Sequence, residues 1–467
     1  MFASYRTLFF FCLIICFREA PAQTDQRIPT LDSLVGSQFT GNIPGMSICI
    51  AEKGKIIYEK AFGSANIELS TPMQPGMVFR IGSITKQFTA VGVLQLVEQG
   101  KISLADPIGR YLPDLPDYGN TVTIENLLTH TSGIVEYTSI ESPDPYSERR
   151  DWTPGQLIAY FKDKPLTFGP GTKYSYSNSN YALLGYLIEK VSGQPYHQYM
   201  EDHVLRPAGL THTFYAGENV IIPGRVEGYT RDKGYYENTE YQSISIGYGA
   251  GDLLSTVEDL YLWNKAVLDG ILIRKETVEK AFSPYRLKDG TLSQYGYGWF
   301  IDSLQGRKCI HHEGQVSGFI AEEKYFPDQD LYVSICTNVK SGEDTTDFST
   351  NRFQLMDNIA LVAAGIALPR GITLSQAELD SYVGLYRSID KHSGTIRIYK
   401  EQGKLYADLS NKTGLHMVLL PLTATTFLLP SVRRIRTTVE FIKENGVTVK
   451  GIWTQEKKYG FERVQNP

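Results

Sequence analysis

Cysteine is scarce in this sequence, with five among 467 residues. Two of them, Cys12 and Cys16, lie in the N-terminal segment, and the remaining three are Cys49, Cys309 and Cys336. An odd number of widely separated cysteines is not a disulfide framework, so we expect three buried free thiols. The sequence also lacks C-x-x-C and H-E-x-x-H spacings, which gives no support to a zinc site. We expect neither a metal nor another cofactor.

An excess of positive charge is also missing, because 46 lysines and arginines are balanced by 51 aspartates and glutamates, a net charge of −5. The sequence therefore lacks the excess of positive charge that is typical of nucleic-acid-binding proteins, and we expect no nucleic-acid partner. Apolar residues make up 42% and charged residues 21% of the chain. This composition is typical of a globular protein and excludes a largely disordered or collagen-like chain.

Long apolar runs are absent from the sequence, apart from the run from Thr7 to Phe17. Arg6 precedes this run and Ala20-Pro21-Ala22 follows it, which is the order of a signal peptide and its cleavage site. The run is shorter than the roughly 20 residues of a membrane-spanning helix. We therefore predict a signal peptide over residues 1–22, a periplasmic or secreted protein, and no stable membrane span after cleavage. An uncleaved N-terminal anchor is the alternative.

A change of pattern near residues 365–371 divides the chain into two parts. Before it, strand patterns at both ends enclose a block of helical patterns, which predicts an α+β domain over residues 23–365. From residue 372 to 467, short alternating runs follow one another, with turns at Gly403 and Asn445-Gly446. Such a succession of short strands predicts a small antiparallel β-barrel.

A serine and a lysine stand three residues apart at the start of a predicted helix, as Ser83 and Lys86. Residues at this spacing share a helix face, so Lys86 can reach the Ser83 hydroxyl. A serine becomes a nucleophile when a neighbouring base takes its proton. A lysine can be that base if burial or nearby positive charge lowers its pKa. A helix-capping serine beside a surface lysine would show the same spacing.

A second segment, residues 173–178, combines phenols with an amide, at Tyr174, Tyr176 and Asn178. A phenol beside a lysine can be held deprotonated or can relay a proton to a leaving group. An amide two residues further on can hydrogen-bond to a substrate carbonyl. Simple aromatic packing would explain the tyrosines of this segment equally well.

The third segment lies on a predicted strand and reads His311-His312-Glu313-Gly314-Gln315. Adjacent residues of a strand face opposite sides, so only one histidine can point into a cleft, which argues against a di-histidine metal site. Gly314 would let a substrate lie close to the strand backbone. The amide of Gln315 could join that of Ser83 in an oxyanion hole. A register in which His311 faces the cleft is the alternative.

In this order, Ser83-x-x-Lys86, Tyr176-x-Asn178 and His312-x-Gly314 resemble the three motifs of the serine β-lactamase and penicillin-binding protein superfamily. The Tyr-x-Asn pattern is the class C variant of the second motif. Residues 100–107, 127–133 and 249–256 resemble framework segments of the same family, and the resemblance covers roughly residues 30–360. It implies a five-stranded antiparallel sheet flanked by helices, a helical subdomain, and a site in the cleft between them. The C-terminal barrel resembles the lipocalin-like appendage of some peptidases of this group.

The resemblance also implies a role for each motif residue. Ser83 would be the acylated nucleophile, and Lys86 and Tyr176 would handle the protons. The substrate-binding residues would be Asn178, His312, Gly314 and Gln315. The histidine is a departure from the family pattern, because a lysine there carries a permanent charge that suits a carboxylate, and neutral histidine does not.

The pattern therefore favours a secreted serine hydrolase of the peptidase or esterase type, which cleaves peptide, amide or ester bonds through an acyl-enzyme. One alternative is a β-lactamase or a penicillin-binding D,D-carboxypeptidase, and another is a non-catalytic penicillin-binding or sensor module. The expected partner is a small-molecule or peptide substrate, whose identity the sequence leaves open. The sequence is compatible with a homo-oligomer.

Overall fold

The computed structural model describes residues 25–141, 144, 147–215, 220–232, 235–341, 352–389, 394–409, 416–432, 435–445, 447–454 and 458–464. The predicted signal peptide, residues 1–22, lies outside the described residues. Within the described ranges, no helix combines the length and the apolar character that crossing a membrane requires.

An antiparallel sheet forms the centre of the first domain. Its strands are β1 (Met46–Glu52), β2 (Lys55–Phe62), β3 (Phe300–Leu304), β4 (Arg307–Val316), β5 (Phe319–Phe326) and β6 (Leu331–Thr337). Their order across the sheet is β3-β4-β5-β6-β1-β2, and each neighbouring pair is antiparallel. Strands from the two ends of the domain therefore meet in one sheet, which confirms the predicted α+β class.

The sheet has six strands within the described residues. The expected number of five was therefore wrong, and the additional strand is the edge strand β3. Most side chains of this strand are only partly buried, so its sequence lacks the apolar alternation that signals a strand. Its pairing with β4, in which Phe300 lies opposite His311, defines it instead.

Helices cover the sheet and form the helical subdomain. They are α1 (Arg27–Gly36), α2 (Thr85–Glu98), α3 (Ile124–Leu128), α4 (Pro154–Phe161), α5 (Asn178–Ser192), α6 (Tyr196–Met200), α7 (Val257–Leu268), α8 (Lys275–Ala281) and α9 (Arg352–Ala363). A further short helix, α10 (Gln376–Asp380), precedes the barrel, and its Leu379 belongs to the barrel core. Shorter strands of the first domain are Ser64–Asn66, Thr71–Pro72, Phe79–Arg80, Phe214–Tyr215, Tyr229–Asp232, Tyr235–Asn238, Leu253–Ser255 and Val339–Ser341. Thr153 and Gln156 form a capping box at the start of α4, which satisfies backbone N–H groups that the first turn of a helix leaves without partners.

Both faces of the sheet are buried, as strand β1 illustrates. Met46, Ile48 and Ile50 belong to an apolar cluster that includes side chains of α1 and α9. Cys49 and Ala51 belong to the other cluster, which includes side chains of α2, α5 and α7. A strand that is buried on both faces has a nearly continuous apolar sequence. Helix α2, which follows the candidate nucleophile, is thus packed inside the second layer.

The described part of residues 384–463 forms a closed antiparallel barrel of eight strands. They are β7 (Gly384–Ser388), β8 (Thr395–Glu401), β9 (Lys404–Leu409), β10 (His416–Pro421), β11 (Thr426–Val432), β12 (Ile435–Glu444), β13 (Val447–Thr454) and β14 (Lys458–Arg463). The predicted C-terminal barrel is therefore confirmed. The domain boundaries, 23–365 and 372–467, stay predictions. The three cysteines outside the N-terminal segment, Cys49, Cys309 and Cys336, are buried free thiols as expected.

Candidate active site

Ser83 lies in a single 3-10 turn, Gly82–Ile84, that leads directly into α2. The helix therefore begins at Thr85, two residues after the serine, and its first turn still brings Lys86 to the serine side chain. Gly82 has a left-handed backbone with φ of 50°, a conformation that favours glycine. This sharp turn leaves Ser83 partly exposed between two buried neighbours.

The amine of Lys86 is fully buried and lies among three oxygen atoms. Its Nζ is 2.9 Å from Ser83 Oγ, 2.7 Å from Asn178 Oδ1 and 2.8 Å from the carbonyl oxygen of Ala250. A neutral amine has two hydrogens and one lone pair. It can donate to Asn178 and Ala250 and accept the hydroxyl hydrogen of Ser83, which is the arrangement that a general base needs. The alternative of a surface lysine does not hold.

Burial lowers the pKa of Lys86 from 10.5 to about 7, and the carboxylate of Glu136 opposes this shift. The cause is the loss of hydration, which destabilises the charged ammonium more than the neutral amine. About half of the Lys86 side chains are therefore neutral near pH 7. A base is available beside Ser83 without a strongly alkaline medium.

The phenol of Tyr176 contacts both of these groups. Its ring centre lies 4.9 Å from Lys86 Nζ, and its hydroxyl makes a hydrogen-bond contact with Ser83. Burial raises the pKa of Tyr176 well above 10, although the Ser83 contact acts in the opposite direction. Of the two roles expected for this residue, the proton relay fits and the phenolate does not.

Asn178 is the first residue of α5, and both ends of its side-chain amide are engaged. Its Oδ1 accepts from Lys86, and its Nδ2 donates to Glu136 Oε1 at 3.2 Å. The other oxygen of Glu136 accepts the backbone N–H of Asn178, so a carboxylate lies at the N-terminus of α5, where negative charge is favourable. Glu136 was not predicted from the sequence, because it lies 42 residues before Asn178 and no local pattern links them.

The two adjacent histidines of β4 have different surroundings. The ring centre of His312 is 6.3 Å from that of Tyr176, whereas Nε2 of His311 pairs with Asp302 at 3.0 Å. His312 Nδ1 lies 2.6 Å from the carbonyl oxygen of Glu313, and Nε2 lies 2.9 Å from the Tyr295 hydroxyl. A carbonyl only accepts, so Nδ1 carries a hydrogen. The Tyr295 hydroxyl can donate to Nε2 of a neutral ring or accept from Nε2 of a protonated ring.

Gly314 brings β4 against the turn that contains the nucleophile. A Cβ atom at this position would lie 1.8 Å from the carbonyl oxygen of Ile81 and 2.8 Å from the nitrogen of Ser83. The structure therefore corrects the expected reason for the glycine, because the missing side chain makes room for the protein's own backbone. The nitrogen of Gln315 would be 2.9 Å from a Cβ on Gly82. The amides of Ser83 and Gln315 thus lie on closely packed segments, and the oxyanion hole that they would form stays a prediction.

His130, in the framework segment 127–133, is a further group beside the site, and no role was predicted for it. It is fully buried, and its ring centre lies 4.3 Å from that of Tyr176. Its Nδ1 accepts the backbone N–H of Ser177 at 3.1 Å. Burial and the nearby Lys86 amine hold the pKa of His130 well below 6.5. The ring therefore packs against Tyr176 without adding a second positive charge beside Lys86.

A cleft of about 520 Å³ opens at these groups, and Ser83, Asn178 and Gln315 are among its lining residues. Its charged lining residues are Arg80, Asp144, Glu148, Arg149 and Glu240. The volume lies in the range that is typical of small-molecule sites.

Comparison with known sequences agrees with this geometry. A model of the Beta-lactamase family matches residues 23–355. The chain is 32% identical over 308 residues to PbpX of Bacillus subtilis (strain 168), a match that covers 66% of this chain and 74% of PbpX. It is 27% identical over 439 residues to Penicillin-binding protein 4* of the same organism, with 89% of this chain and 93% of the relative covered.

Solved structures give the same picture. The octameric penicillin-binding protein homologue from Pyrococcus abyssi is 25% identical, with a TM-score of 0.64, and the match covers 93% of this chain and all of that chain. A D-stereospecific amidohydrolase from Streptomyces sp. is 26% identical, with a TM-score of 0.61, and the match covers 73% of this chain and 99% of that chain.

Proposed function

The chain belongs to the beta-lactamase family, and on this premise we propose that it is a serine hydrolase that forms an acyl-enzyme on Ser83 and cleaves peptide, amide or ester bonds. One observation carries the proposal: the buried amine of Lys86, with a pKa of about 7, lies 2.9 Å from the Ser83 hydroxyl. Burial of an amine is costly, and ligand binding alone gives no reason to bury one beside a serine.

Acylation begins when neutral Lys86 takes the hydroxyl proton of Ser83 as Oγ attacks the carbonyl carbon of the substrate. The carbonyl π electrons move to oxygen, and the amides of Ser83 and Gln315 stabilise the resulting anion. The Tyr176 hydroxyl then passes a proton to the leaving nitrogen or oxygen and regains one from Lys86. The bond to the leaving group breaks, which releases an amine or alcohol and leaves an ester on Ser83.

Deacylation uses the same groups on a water molecule. Lys86 takes a proton from the water, directly or through the Tyr176 hydroxyl, as the water oxygen attacks the ester, and the proton returns to Ser83 when the acid product leaves. Asn178 supports both steps by holding Lys86, since its Oδ1 accepts from that amine and its Nδ2 donates to Glu136. A positioning role for Asn178 therefore stands beside the substrate contact expected from the resemblance.

The surroundings of His312 support substrates that lack a carboxylate beside the scissile bond. Both ring nitrogens of His312 already have partners in the protein, so neither is left to bind a substrate carboxylate. The 26% identity to a D-stereospecific amidohydrolase also supports amide cleavage. We therefore place amides, peptides and esters ahead of β-lactams as substrates.

A β-lactamase or penicillin-binding D,D-carboxypeptidase is the second candidate, which the likeness to Penicillin-binding protein 4* over 89% of the chain favours. A non-catalytic penicillin-binding or sensor module is the third. We also propose a periplasmic or secreted location, supported by the sequence pattern of residues 1–22. The octameric homologue makes a homo-oligomer the first assembly to look for.

Initial rates on four substrate classes separate these candidates: p-nitrophenyl esters, D-aminoacyl anilides, D-Ala-D-Ala peptides and nitrocefin. We expect turnover of an ester or a D-aminoacyl anilide that is lost in Ser83→Ala. Ser303→Ala, which changes an exposed serine of β3, is the matched control and should keep full activity. Turnover of nitrocefin or D-Ala-D-Ala peptides alone would favour the second candidate. Acylation without turnover on any of these substrates would favour the third.

A further inference from the structure

A second cavity, of about 650 Å³, borders the chain segment that also forms one wall of the cleft. Within residues 244–252, Ile246 and Ala250 line the cleft, whereas Tyr248 and Asp252 line the second cavity. Trp152 lines both cavities. The same segment supplies the carbonyl of Ala250 to Lys86, so the second cavity lies next to the candidate machinery without including it.

The lining of this cavity combines aromatic rings with carboxyl groups. The ring centre of Tyr196 lies 5.0 Å from those of Tyr215 and Tyr248, and Trp152 adds a fourth aromatic side chain. Asp252 and Glu189 supply the carboxyl groups. Aromatic faces together with a carboxylate attract organic ammonium ions, because the ring quadrupole and the anion act on the same charge. The volume suits a small molecule or one end of a larger one.

One carboxyl oxygen of the cavity, Asp252 Oδ1, has no hydrogen-bond partner in the described part of the chain, whereas the Tyr215 and Tyr248 hydroxyls lie beside the carboxyl groups of Asp252 and Glu189. Asp252 is 6% exposed and Tyr248 is 8% exposed. Buried polar side chains almost always have partners, so a buried carboxyl oxygen that lines a cavity without a partner indicates a ligand that donates a hydrogen bond or carries positive charge. Tyr248 also has a left-handed backbone with φ of 39°, a strained conformation that is concentrated at functional sites.

The charge of Asp252 depends on what lies beside it. Burial raises the pKa of Asp252 well above its usual range, although the Tyr215 hydroxyl and the Arg80 guanidinium oppose the shift. Burial therefore favours the protonated carboxyl, and a bound ammonium ion would favour the carboxylate. The titratable and charged groups around Asp252 and its cavity are Arg80, Asp151, Glu189, Tyr196, His197, Tyr215 and Tyr248.

We propose that this cavity binds an organic ammonium group, with Asp252 as the counterion and the rings of Tyr196, Tyr215 and Tyr248 as the aromatic lining. The ammonium belongs either to the far end of a substrate that acylates Ser83 or to a separate small molecule. Both sources require the same recognition chemistry. The proposal does not depend on hydrolase activity, since binding is measured directly.

The site is tested by titrating the full-length protein with tetramethylammonium chloride and detecting binding by saturation-transfer NMR. We expect saturable binding in the millimolar range that is absent with tert-butanol, a neutral molecule of similar shape, and unaffected by an equal concentration of sodium chloride. Binding should be tighter at pH 8 than at pH 6, because Asp252 must release its proton and the quaternary ion has none to lose.

Asp252→Asn removes the charge at nearly constant size and should weaken binding by at least about tenfold, as for the loss of a charge-assisted contact, and abolish its pH dependence. Asp163→Asn, at an exposed aspartate that does not line the cavity, is the matched control and should bind as wild type. Tyr215→Leu, at a half-buried position, gives a second test if Asp252→Asn does not fold. Absence of saturable binding, or wild-type affinity in the folded variants, would overturn the proposal.

Two esters that differ only in a distal tert-butyl or trimethylammonium group distinguish the two sources. A preference in kcat/KM for the charged ester that disappears in Asp252→Asn supports the substrate end as the source. Equal kcat/KM values together with tetramethylammonium binding support a separate molecule. If neither ester is hydrolysed, the proposed function fails, whereas the tetramethylammonium titration still decides this inference.

Discussion

Acylation of Ser83 should depend on pH in a way that an ordinary lysine would not produce. With a pKa of about 7, the neutral fraction of Lys86 is about 9% at pH 6, about 50% at pH 7 and about 91% at pH 8. Activity is therefore lost as the pH falls through 7, and the acylation rate rises about tenfold from pH 6 to pH 8 and then levels off. A base with the ordinary pKa of 10.5 would give about a 100-fold rise over this range, with no plateau.

Glu136→Gln tests the electrostatic origin of this profile. The carboxylate of Glu136 raises the pKa of Lys86, so its replacement by the neutral amide of glutamine should move the midpoint of the pH profile to lower pH. Glu141→Gln changes an exposed glutamate of the same segment and should leave the midpoint unchanged. The measurement is the second-order rate constant of inactivation by a neutral fluorophosphonate between pH 5 and pH 9. A rise without a plateau, or a midpoint that does not fall in Glu136→Gln, would refute the reasoning.

Three further substitutions test other parts of the site. Tyr176→Phe removes only the hydroxyl, so kcat should fall by roughly 10²–10⁴-fold with little change in melting temperature. A kcat within about twofold of wild type would show that the hydroxyl takes no part in the reaction. Gly314→Ala places a Cβ 1.8 Å from the carbonyl oxygen of Ile81 and should nearly abolish acylation. Gly155→Ala, at a position with open space around it, should leave the acylation rate unchanged. Equal acylation rates in the two variants would contradict the close approach of β4 to the Ser83 turn. His312→Lys adds a permanent charge, which should raise kcat/KM for a penicillin relative to a neutral ester by roughly 10- to 150-fold, equivalent to a charge-assisted hydrogen bond of about 1.5–3 kcal/mol. An unchanged ratio would mean that position 312 does not contact the substrate carboxylate.

Local spacing explains what could be predicted from the sequence. Ser83 and Lys86 are three residues apart, so one helical turn brings the amine to the hydroxyl independently of the tertiary structure. The barrel was predictable for a similar reason, because each of its strands is defined by its own alternation and by the turn that follows. The three buried thiols follow from the apolar strands that contain them.

What could not be predicted depends on contacts between distant segments. Glu136 contacts the start of α5 from 42 residues earlier in the chain. The carbonyl oxygen of Ala250, which also contacts the Lys86 amine, belongs to a third segment. The glycine at position 314 indicated a close approach, but only the fold shows that the approaching group is Ile81. Strand β3 was not predicted because its burial is partial, and the unpartnered carboxyl oxygen of Asp252 becomes visible only once the cavity exists.

Peptide mass spectrometry after treatment with a fluorophosphonate tests most directly whether Ser83 is the nucleophile. We predict a single adduct per chain, on the peptide that contains Ser83, which is absent in Ser83→Ala and forms far more slowly in folded Lys86→Met. An adduct on a different residue, or full hydrolytic activity in Ser83→Ala, would contradict the assignment of Ser83 as the nucleophile.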